Sequence, residues 1–511
     1  MSDGIVSQLS PDGSWRWNGA SWVPAGRTTR PALPSWLATG LRSHANWRVV
    51  VLVAVVALLV DQALRVSALG VGAALLLAAA AFALWISNGS RSASGRTLLA
   101  LSIVFGASLA VRASPWLTIP DLVVSILLLA SAASLGDRGS IFDLGFAEAG
   151  ARVLHGLLHL ALGVPFAARP LRALKPRLAG MAPVGRGLLI GVPIAVLIGV
   201  LLASADPVFA SFFAINFDLG QASLDAIYVL AGAVAMAGLL RLAAAQRVER
   251  LDGPRWRLGL TEGLVVVGVL DALFAAFAIA QAIAVSGNGA QALRQAGTTY
   301  ADYARSGFFQ LLWVAAITMV LLVLFSRIID RGEGRAALAF RALTFVAMAL
   351  TLLIVYVSFQ RLSLYEQAYG FTMLRLYSHI FAVWIGLVFL LLAADQLGLA
   401  SRRRWLLGAT SIAGLAVLLT LNAVSPEALL VKLNTDRALS THKLDVSYLD
   451  TLSSDSVPAR ASASAILPAD LRPEAVSTIC EGGRDYGLPG AAFNLSDFIA
   501  AAARRQSCPP R

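Results

Sequence analysis

Long apolar runs, separated by short polar connections, fill most of the chain from residue 49 to residue 423. A run of about 20 apolar residues is long enough for an α-helix to cross a hydrocarbon core of about 30 Å. The pattern therefore predicts an all-α, polytopic membrane bundle of about eleven transmembrane helices. The predicted spans are 49–66, 68–87, 97–113, 116–136, 184–204, 222–242, 261–285, 308–329, 336–360, 372–395 and 405–423.

Composition points to the same class of protein. Of the 511 residues, 58% are hydrophobic and only 14% are charged, whereas a soluble domain carries about 25% charged residues. The mean hydropathy is +0.73. These values are typical of an integral membrane protein and argue against a soluble one.

The net charge of +12 does not indicate nucleic-acid binding. Nearly all the cations are arginines, and they cluster in the short connections between apolar runs. A nucleic-acid-binding module would instead present a basic stripe interleaved with aromatic side chains. We therefore expect membrane lipids as partners and no nucleic acid.

The basic connections predict the orientation of the chain, because cytoplasmic loops are rich in Lys and Arg. With eleven spans, all five basic groups fall on one side, so the N-terminus is inside and the C-terminus outside. The first apolar run begins too late for a cleavable signal peptide, which predicts a retained anchor. The Gly- and Ala-rich, Arg-over-Lys composition is typical of a bacterium, which places the chain in the cytoplasmic (inner) membrane. The basic groups are 91–96, 169–186, 241–257, 327–335 and 402–404.

The segment 141–168 decides the number of spans. Counting it as a twelfth span would put the cations of 169–186 outside, so we expect an interfacial helix with its polar face in water. Alternatively, the polar face turns into the bundle. That face consists of Glu148, Arg152, His155 and His159, which form one stripe by steps of four, three and four residues.

The two ends of the chain differ from the apolar region. Residues 1–30 contain three tryptophans around Asn18 and Gly19, a pair that favours a type I′ hairpin turn. A basic linker, 31–48, follows. Residues 49–424 form the predicted transmembrane domain. Residues 425–511 are polar, with short amphipathic segments, and predict a small helical tail outside the cell.

Both cysteines, Cys480 and Cys508, lie in this tail. An extracytoplasmic tail permits a disulfide between them. Two unpaired thiols are the alternative, and the sequence does not decide between them.

Polar residues of four separated segments are predicted to meet on the outer face of the membrane. The clearest segment is "RLSLYEQAYGFTMLRLYSHIF", 361–381, between the ninth and tenth spans. On one continuous helix its polar residues would share a stripe, although Gly370 is a candidate break. The candidate ligand- or lipid-binding residues are Asp206, Tyr300, Asp302, Tyr303, Arg305, Arg361, Tyr365, Glu366, Tyr369, Arg375 and His379.

This polar cluster has three interpretations. It is a structural clasp that holds helix ends and the tail, a site for an anionic lipid or an extracytoplasmic ligand, or a catalytic site. Catalysis is the weakest, because the sequence contains no GxSxG, no Walker lysine loop and no HExxH. His155 and His159 lack a clear third ligand, so neither a metal nor a cofactor is expected.

Asp271 lies near the middle of the seventh predicted span. A carboxylate within a membrane is costly unless it is neutral or paired, and it is a candidate functional group. It would act as a coupling acid in transport, or it is a protonated or capping group inside the bundle. Arg341 is a candidate partner, while Gln281 lies nearer the outer face.

Five motifs in order resemble the bacterial membrane proteins of the domain-of-unknown-function 4173 family, which is related to the 4153 group. The resemblance implies an integral membrane protein without an assigned activity; at Asp271 that family more often has an amide. The N-terminal "SPDGSWRWNGASWVPA" resembles the short tryptophan motif of actinobacterial-type membrane proteins (DUF2510-like), which implies a protein partner at that end. The motifs are 201–210, 270–281, 298–315, 361–384 and 424–438.

The leading interpretation is an envelope scaffold or a lipid- or ligand-binding membrane protein with a polar cluster on its extracytoplasmic face. A secondary transporter that uses Asp271 is the alternative, and a membrane-embedded enzyme is third. The ligand and the oligomeric state are left open by the sequence.

Overall fold

A computed structural model describes the chain in segments. These are 10, 15–17, 22–24, 40–65, 69–87, 92–135, 140–172, 191, 194, 198, 202, 219–245, 258–285, 307–329, 334–399, 405–481 and 490–508. The fifth predicted span, 184–204, lies outside the described residues apart from four single positions.

Ten long apolar helices correspond to the other ten predicted spans. Eight of them are long and apolar enough to cross a membrane, whereas α2 and α3 have 16 residues each. The chain is therefore a multi-pass helical membrane protein. The ten are α1 (Trp47–Leu64), α2 (Val71–Ile86), α3 (Ala93–Ser108), α4 (Pro115–Leu135), α8 (Leu219–Ala243), α9 (Leu260–Val285), α10 (Phe308–Ile328), α11 (Arg335–Tyr369), α12 (Met373–Gln396) and α13 (Trp405–Val424).

The long helices pack in two groups. The first group, α1–α4 with α8, surrounds a core that includes Leu84 and Leu117. The second group, α9–α12, surrounds a core that includes Ile385 and Phe389. All four of these side chains are fully buried.

Helix α13 joins the two groups, because opposite ends of it pack in different cores. Leu406 is buried in the core of the second group and Leu418 in that of the first. Near its end, Asn422 donates a hydrogen bond of 2.9 Å to Asp121 of α4. This hydrogen bond offsets part of the cost of burying the amide and the carboxyl.

The segment 141–168 forms helices α5 (Phe146–Ala161) and α6 (Gly163–Ala167), followed by α7 (Arg169–Arg172). None of the three is long enough to be a candidate span. Helix α6 lies at a very short distance from α8, because a Cβ on Gly163 would overlap the backbone nitrogen of Gly238. Only glycine permits that distance.

The polar stripe of α5 turns into the protein. His155 and His159 are buried against α8, and Arg152 donates to the hydroxyl of Ser134 at 2.8 Å. The apolar side of α5 is the exposed one, with Val153 60% exposed. The expectation that the polar face of this helix meets water is therefore wrong. Where a helix meets lipid, its polar side chains turn to neighbouring helices and its apolar side chains face the lipid.

After α13 the chain folds into a tail of short helices. A disulfide joins Cys480 and Cys508, so of the two alternatives for these cysteines the structure contains the bridge. Part of the tail core consists of Val457, Ile479 and Ala500, packed beside Cys508. The tail helices are α14 (Pro426–Thr441), α15 (Val446–Asp450), α16 (Val457–Ile466), α17 (Arg472–Glu481) and α18 (Leu495–Ser507).

Near the N-terminus, strands β1 (Trp15–Trp17) and β2 (Trp22–Pro24) pair antiparallel. Trp17 is opposite Trp22, so four residues separate the paired ends. A type I′ turn connects its strands with two residues. The turn expected at Asn18 and Gly19 lies outside the described residues.

Candidate functional site

The polar segment 361–381 forms a helical hairpin at the end of the bundle that carries the tail, called here the tail face. Helix α11 has 35 residues and runs on past its apolar part to Tyr369. The chain reverses at Gly370, whose φ is +86°, and α12 begins at Met373. Gly370 is thus the break, and the polar residues do not share one continuous helix. The reversal instead sets the two helices side by side.

The hairpin pairs several of the predicted site residues with each other. His379 Nε2 lies 2.9 Å from Glu366 Oε2 across the two helices. The guanidinium of Arg375 lies 4.2 Å from the ring centre of Tyr365, a cation–π contact, and it also donates to the carbonyl of Gly370. These charged groups serve to hold the hairpin closed.

Two other contacts extend the hairpin to its neighbours. Arg361 donates to Gln281 of α9 at 3.2 Å. The hydroxyl of Tyr377 donates to the carbonyl of Trp116, at the start of α4, at 2.8 Å. The hairpin therefore contacts both helix groups. Five predicted site residues lie outside the described residues: Asp206, Tyr300, Asp302, Tyr303 and Arg305.

The tail binds the tip of the hairpin through backbone groups. Asn434 of α14 accepts from the nitrogen of Phe371 and donates to its carbonyl oxygen, both at 2.9 Å. Arg437 donates to the carbonyls of Gln367 and Ala368. The nitrogen of Met373 donates to the hydroxyl of Tyr448 at 2.7 Å. Arg437 also occupies the carbonyls that the end of α11 leaves without a helical partner.

A second contact joins the tail to the first helix group. Glu427, 1% exposed, accepts from the hydroxyl of Ser114 at 2.6 Å and from the hydroxyl of Ser453 at 2.7 Å. Asp455 accepts from the backbone nitrogens of Ala113 and Ser114, just before α4 begins. A carboxylate at a helix N-terminus meets free N–H groups and a favourable dipole. Burial raises the pKa of Glu427 above its usual value, against the opposing hydrogen bonds from the serines.

A cleft of about 680 Å³ remains open between the hairpin tip and the tail. One wall is 368–372, and the other includes Arg437, Lys443, Asp445 and Glu474. Such a volume is sufficient for a small molecule or a lipid headgroup.

The charged residues of the cleft differ in what they already bind. Arg437 is occupied by carbonyl oxygens, and Asp445 accepts from Ser447 and from the nitrogen of Tyr448. The hydrogen bond from Ser447 is the main cause that lowers the pKa of Asp445. Lys443 and Glu474 are exposed, and their side chains have no polar partner among the described residues. These two are free to bind a ligand.

Asp271 lies on α9, 7% exposed, in a helix that packs on α11. Neither carboxylate oxygen has a hydrogen-bond partner within the described part of the chain. Arg341, the candidate partner, is exposed, and Gln281 accepts from Arg361.

The two histidines of α5 are occupied by protein neighbours. His159 Nε2 lies 3.1 Å from His155 Nε2, and its Nδ1 lies 2.6 Å from Arg241 of α8. Both ring nitrogens of His159 are therefore used. Over the described ranges, no group of three or more His, Cys, Asp or Glu residues could hold a metal ion.

The sequence indicated the polar segment 361–381 but not its partners, which lie in the tail and at the start of α4. Asn434 and Arg437 lie in the motif 424–438, where polar residues interrupt an apolar helical face. That interruption is the feature of the sequence that could have indicated a polar contact for these two residues. It does not say which backbone groups these side chains meet, because Asn434 and Phe371 are 63 residues apart.

Comparison with known proteins gives one match. The model of a family described as Domain of unknown function (DUF4153) matches residues 99–463. The matched range includes the hairpin, Asp271 and Lys443, and it ends before Glu474 and the disulfide. No curated protein and no solved structure matches the chain.

Proposed function

We propose that this chain, which belongs to the DUF4153 family, is an integral membrane protein that binds a polar ligand in the cleft at its tail face. The observation that carries the proposal is the open cleft of about 680 Å³ beside a hairpin whose Glu366, Arg361 and Arg375 already contact other protein groups. The clasp of hairpin and tail would hold the walls of the cleft in place. Binding sites are commonly preformed in this way.

The two charged side chains of the cleft without a polar partner in the described structure, Lys443 and Glu474, indicate the chemistry of the ligand. The ammonium of Lys443 suits a phosphate or carboxylate group, and the carboxylate of Glu474 suits an ammonium group. Exposed Tyr369 adds an aromatic ring to the same cleft. A zwitterionic ligand therefore fits best, either the headgroup of phosphatidylethanolamine or a soluble molecule with the same groups.

Native mass spectrometry of the full-length protein tests this proposal. Protein from nanodiscs that contain phosphatidylethanolamine should retain this lipid, and Lys443→Ala should reduce retention several-fold. Lys432→Ala is the matched control, because Lys432 is an exposed lysine of α14, the helix that ends just before Lys443, but does not line the cleft. Soluble O-phosphoethanolamine serves as the second probe.

The outcomes separate the two sources of ligand. Retention of phosphatidylethanolamine without binding of the soluble probe indicates a lipid site, and the reverse indicates a soluble ligand. Equal retention by wild type and Lys443→Ala, with no binding of the soluble probe, would exclude the cleft as the site.

The number of spans, the orientation of the chain, its location and its partners are also part of this proposal. Eleven spans, a cytoplasmic N-terminus and an outer tail agree with the basic connections of the sequence. On this orientation the chain lies in a bacterial cytoplasmic membrane, with the cleft on the extracytoplasmic face. Closer kinship to the 4173 group and a protein partner for the tryptophan hairpin rest on the motifs at 361–384 and 10–25. The remaining predicted site residues, 206 and 300–305, would join the same face.

Transport is the second candidate, and Asp271 favours it. A buried carboxyl without a hydrogen-bond partner in the described structure, inside an apolar helix, is suited to take up and release a proton. Proton uptake by proteoliposomes should be lost in Asp271→Asn and kept in Asp436→Asn, which changes an exposed acid of the tail. Uptake that is the same in all three proteins and in empty liposomes would end this candidate.

A further inference from the structure

Helix α18 presents an apolar stripe that no part of the described chain covers. Leu495, Phe498 and Ile499 are 38%, 50% and 44% exposed, and Ala502 continues the row at helical spacing. The opposite face of α18 is occupied, because Ala500 is fully buried in the tail core. A helix with one face in a protein core and an exposed apolar face on the other side needs a second apolar environment.

The position of α18 identifies that environment. The nitrogen of Leu495 donates to the carbonyl of Ala110, just after the end of α3, at 2.8 Å. The nitrogen of Val71, the first residue of α2, donates to the carbonyl of Phe493 at 2.9 Å. The start of α18 is therefore tied to the level at which two apolar helices of the bundle end.

Asn494 strengthens this tie. It is 3% exposed, and its side-chain amide donates to the carbonyls of Leu109 and Arg112 at 3.0 and 2.9 Å. The same side chain caps α18, because its oxygen accepts from the nitrogen of Ser496. One buried residue thus fixes both the start of α18 and its depth relative to the bundle.

Apolar side chains of the bundle are exposed close by. Val111, next to Ala110, is 41% exposed, and Leu64 at the end of α1 is 48% exposed. Beside the stripe, Phe493 lies 6.2 Å from Phe498, ring centre to ring centre. In a membrane protein, exposed apolar groups at the ends of the membrane helices meet lipid. A second chain would have to displace that lipid to cover the stripe.

We propose that α18 lies in the headgroup region of the leaflet at the tail face, with its apolar stripe in lipid. Its 13 residues are too few to cross the hydrocarbon core. Its last turn becomes polar at Arg504 and Arg505. Both properties are typical of a helix that lies in the interface plane. The partner of this surface is the lipid bilayer, and the tail is anchored to the membrane at both of its ends.

A spin label at position 498 tests the proposal in the full-length protein. The native cysteines are bonded to each other, so Phe498→Cys carries the only free thiol. In nanodiscs of phosphatidylcholine and phosphatidylglycerol, oxygen reports exposure to lipid and a water-soluble nickel chelate reports exposure to water. Ser462→Cys is the control, because Ser462 is an exposed residue on α16 of the same tail.

The label at 498 should show a ratio of oxygen to nickel accessibility several-fold above that at 462. Ile499→Cys is a second reporter on the same stripe and should give the same result if the first variant folds poorly. A ratio at 498 and 499 equal to that at 462 would overturn the proposal. Spin–spin broadening that disappears on dilution with unlabelled protein would also overturn it, because a second copy would then cover the stripe.

Discussion

Glu427 is the residue on which the tail meets the first helix group. Its carboxylate accepts three hydrogen bonds, from the hydroxyl of Ser114 and from the nitrogen and hydroxyl of Ser453. The charge is buried with Asp455 close by, and both burial and this second acid oppose ionisation. The hydrogen bonds of Glu427 stabilise the contact, but this stabilisation depends on pH because the carboxyl group titrates.

The pH dependence follows from the raised pKa of Glu427. An acid whose pKa is higher in the folded state binds more protons folded than unfolded, so stability falls as pH rises from the usual pKa through the raised one. The melting temperature of the full-length protein in detergent should decrease over this pH range. In Glu427→Gln this decrease should be smaller, because the group no longer titrates.

Glu481→Gln is the control for this experiment, since Glu481 is exposed and also lies in the tail. It should leave the pH profile unchanged. Glu427→Ala should cost about 1–3 kcal/mol at a pH below the raised pKa, because it leaves buried donors without an acceptor. A pH profile of Glu427→Gln identical to that of wild type would contradict the assignment.

At the scale of elements, the hairpin of α11 and α12 depends on its reversal. Gly370 has φ +86° and ψ 171°, a region that essentially only glycine adopts. A Cβ at this position would also lie 3.0 Å from the side-chain oxygen of Asn434. The same glycine thus ends α11, starts the return and makes room for the tail.

Gly370→Ala should destabilise the hairpin by about 1–3 kcal/mol, the usual cost of such a backbone conformation. Because the added Cβ would press on Asn434, which binds the tail to the hairpin, the change should also speed proteolysis of the tail. Gly268→Ala is the control: Gly268 lies in helix α9 with no atom within 4 Å of the added Cβ. It should be neutral or slightly stabilising. Equal proteolysis rates for the two variants would show that the reversal does not need glycine.

At the scale of the whole molecule, the tail connects the two helix groups. It binds the first group through Glu427 and Asn494 and the second through Asn434. Helix α13 also connects the groups, as does the hydrogen bond from Tyr377 of α12 to Trp116 of α4. The disulfide between Cys480 and Cys508 closes a separation of 28 residues and attaches the end of α18 to α17.

Replacing both cysteines with serine should destabilise the tail by about 2–4 kcal/mol, because the unfolded tail is then less restricted. The bundle has its own buried cores, so we expect faster tryptic digestion of the tail with little change in the melting of the bundle. The same digestion of wild type under a reducing agent is the control and should resemble the double variant. Equal digestion rates with and without the bridge would contradict this expectation.

Helix positions in the bundle were predictable from the sequence. Runs such as 261–285 and 308–329 became α9 and α10 within a few residues, because the length and apolar character of a run are local properties that lipid selects directly. The count of eleven goes beyond the eight candidate spans, since α2 and α3 are short and 184–204 is not described.

Contacts between distant parts of the chain were decided only by the tertiary structure. Ser114 and Asp455 are 341 residues apart, and neither stands out in its own segment. The polar stripe of α5 could be found in the sequence, but not the side to which it faces. The helical spacing of polar residues does not tell whether water or a neighbouring helix binds them.

The segment "RLSLYEQAYGFTMLRLYSHIF" shows both what the sequence determines and what only the tertiary structure decides. Its sequence predicted that polar residues gather at one end of the bundle and marked Gly370 as a candidate break of the helix. Only the folded chain decided that Glu366 would pair with His379 and that the tail would bind the backbone of Phe371. The physical reason is that a backbone reversal is encoded locally, whereas the partner of a side chain depends on which distant segment arrives beside it.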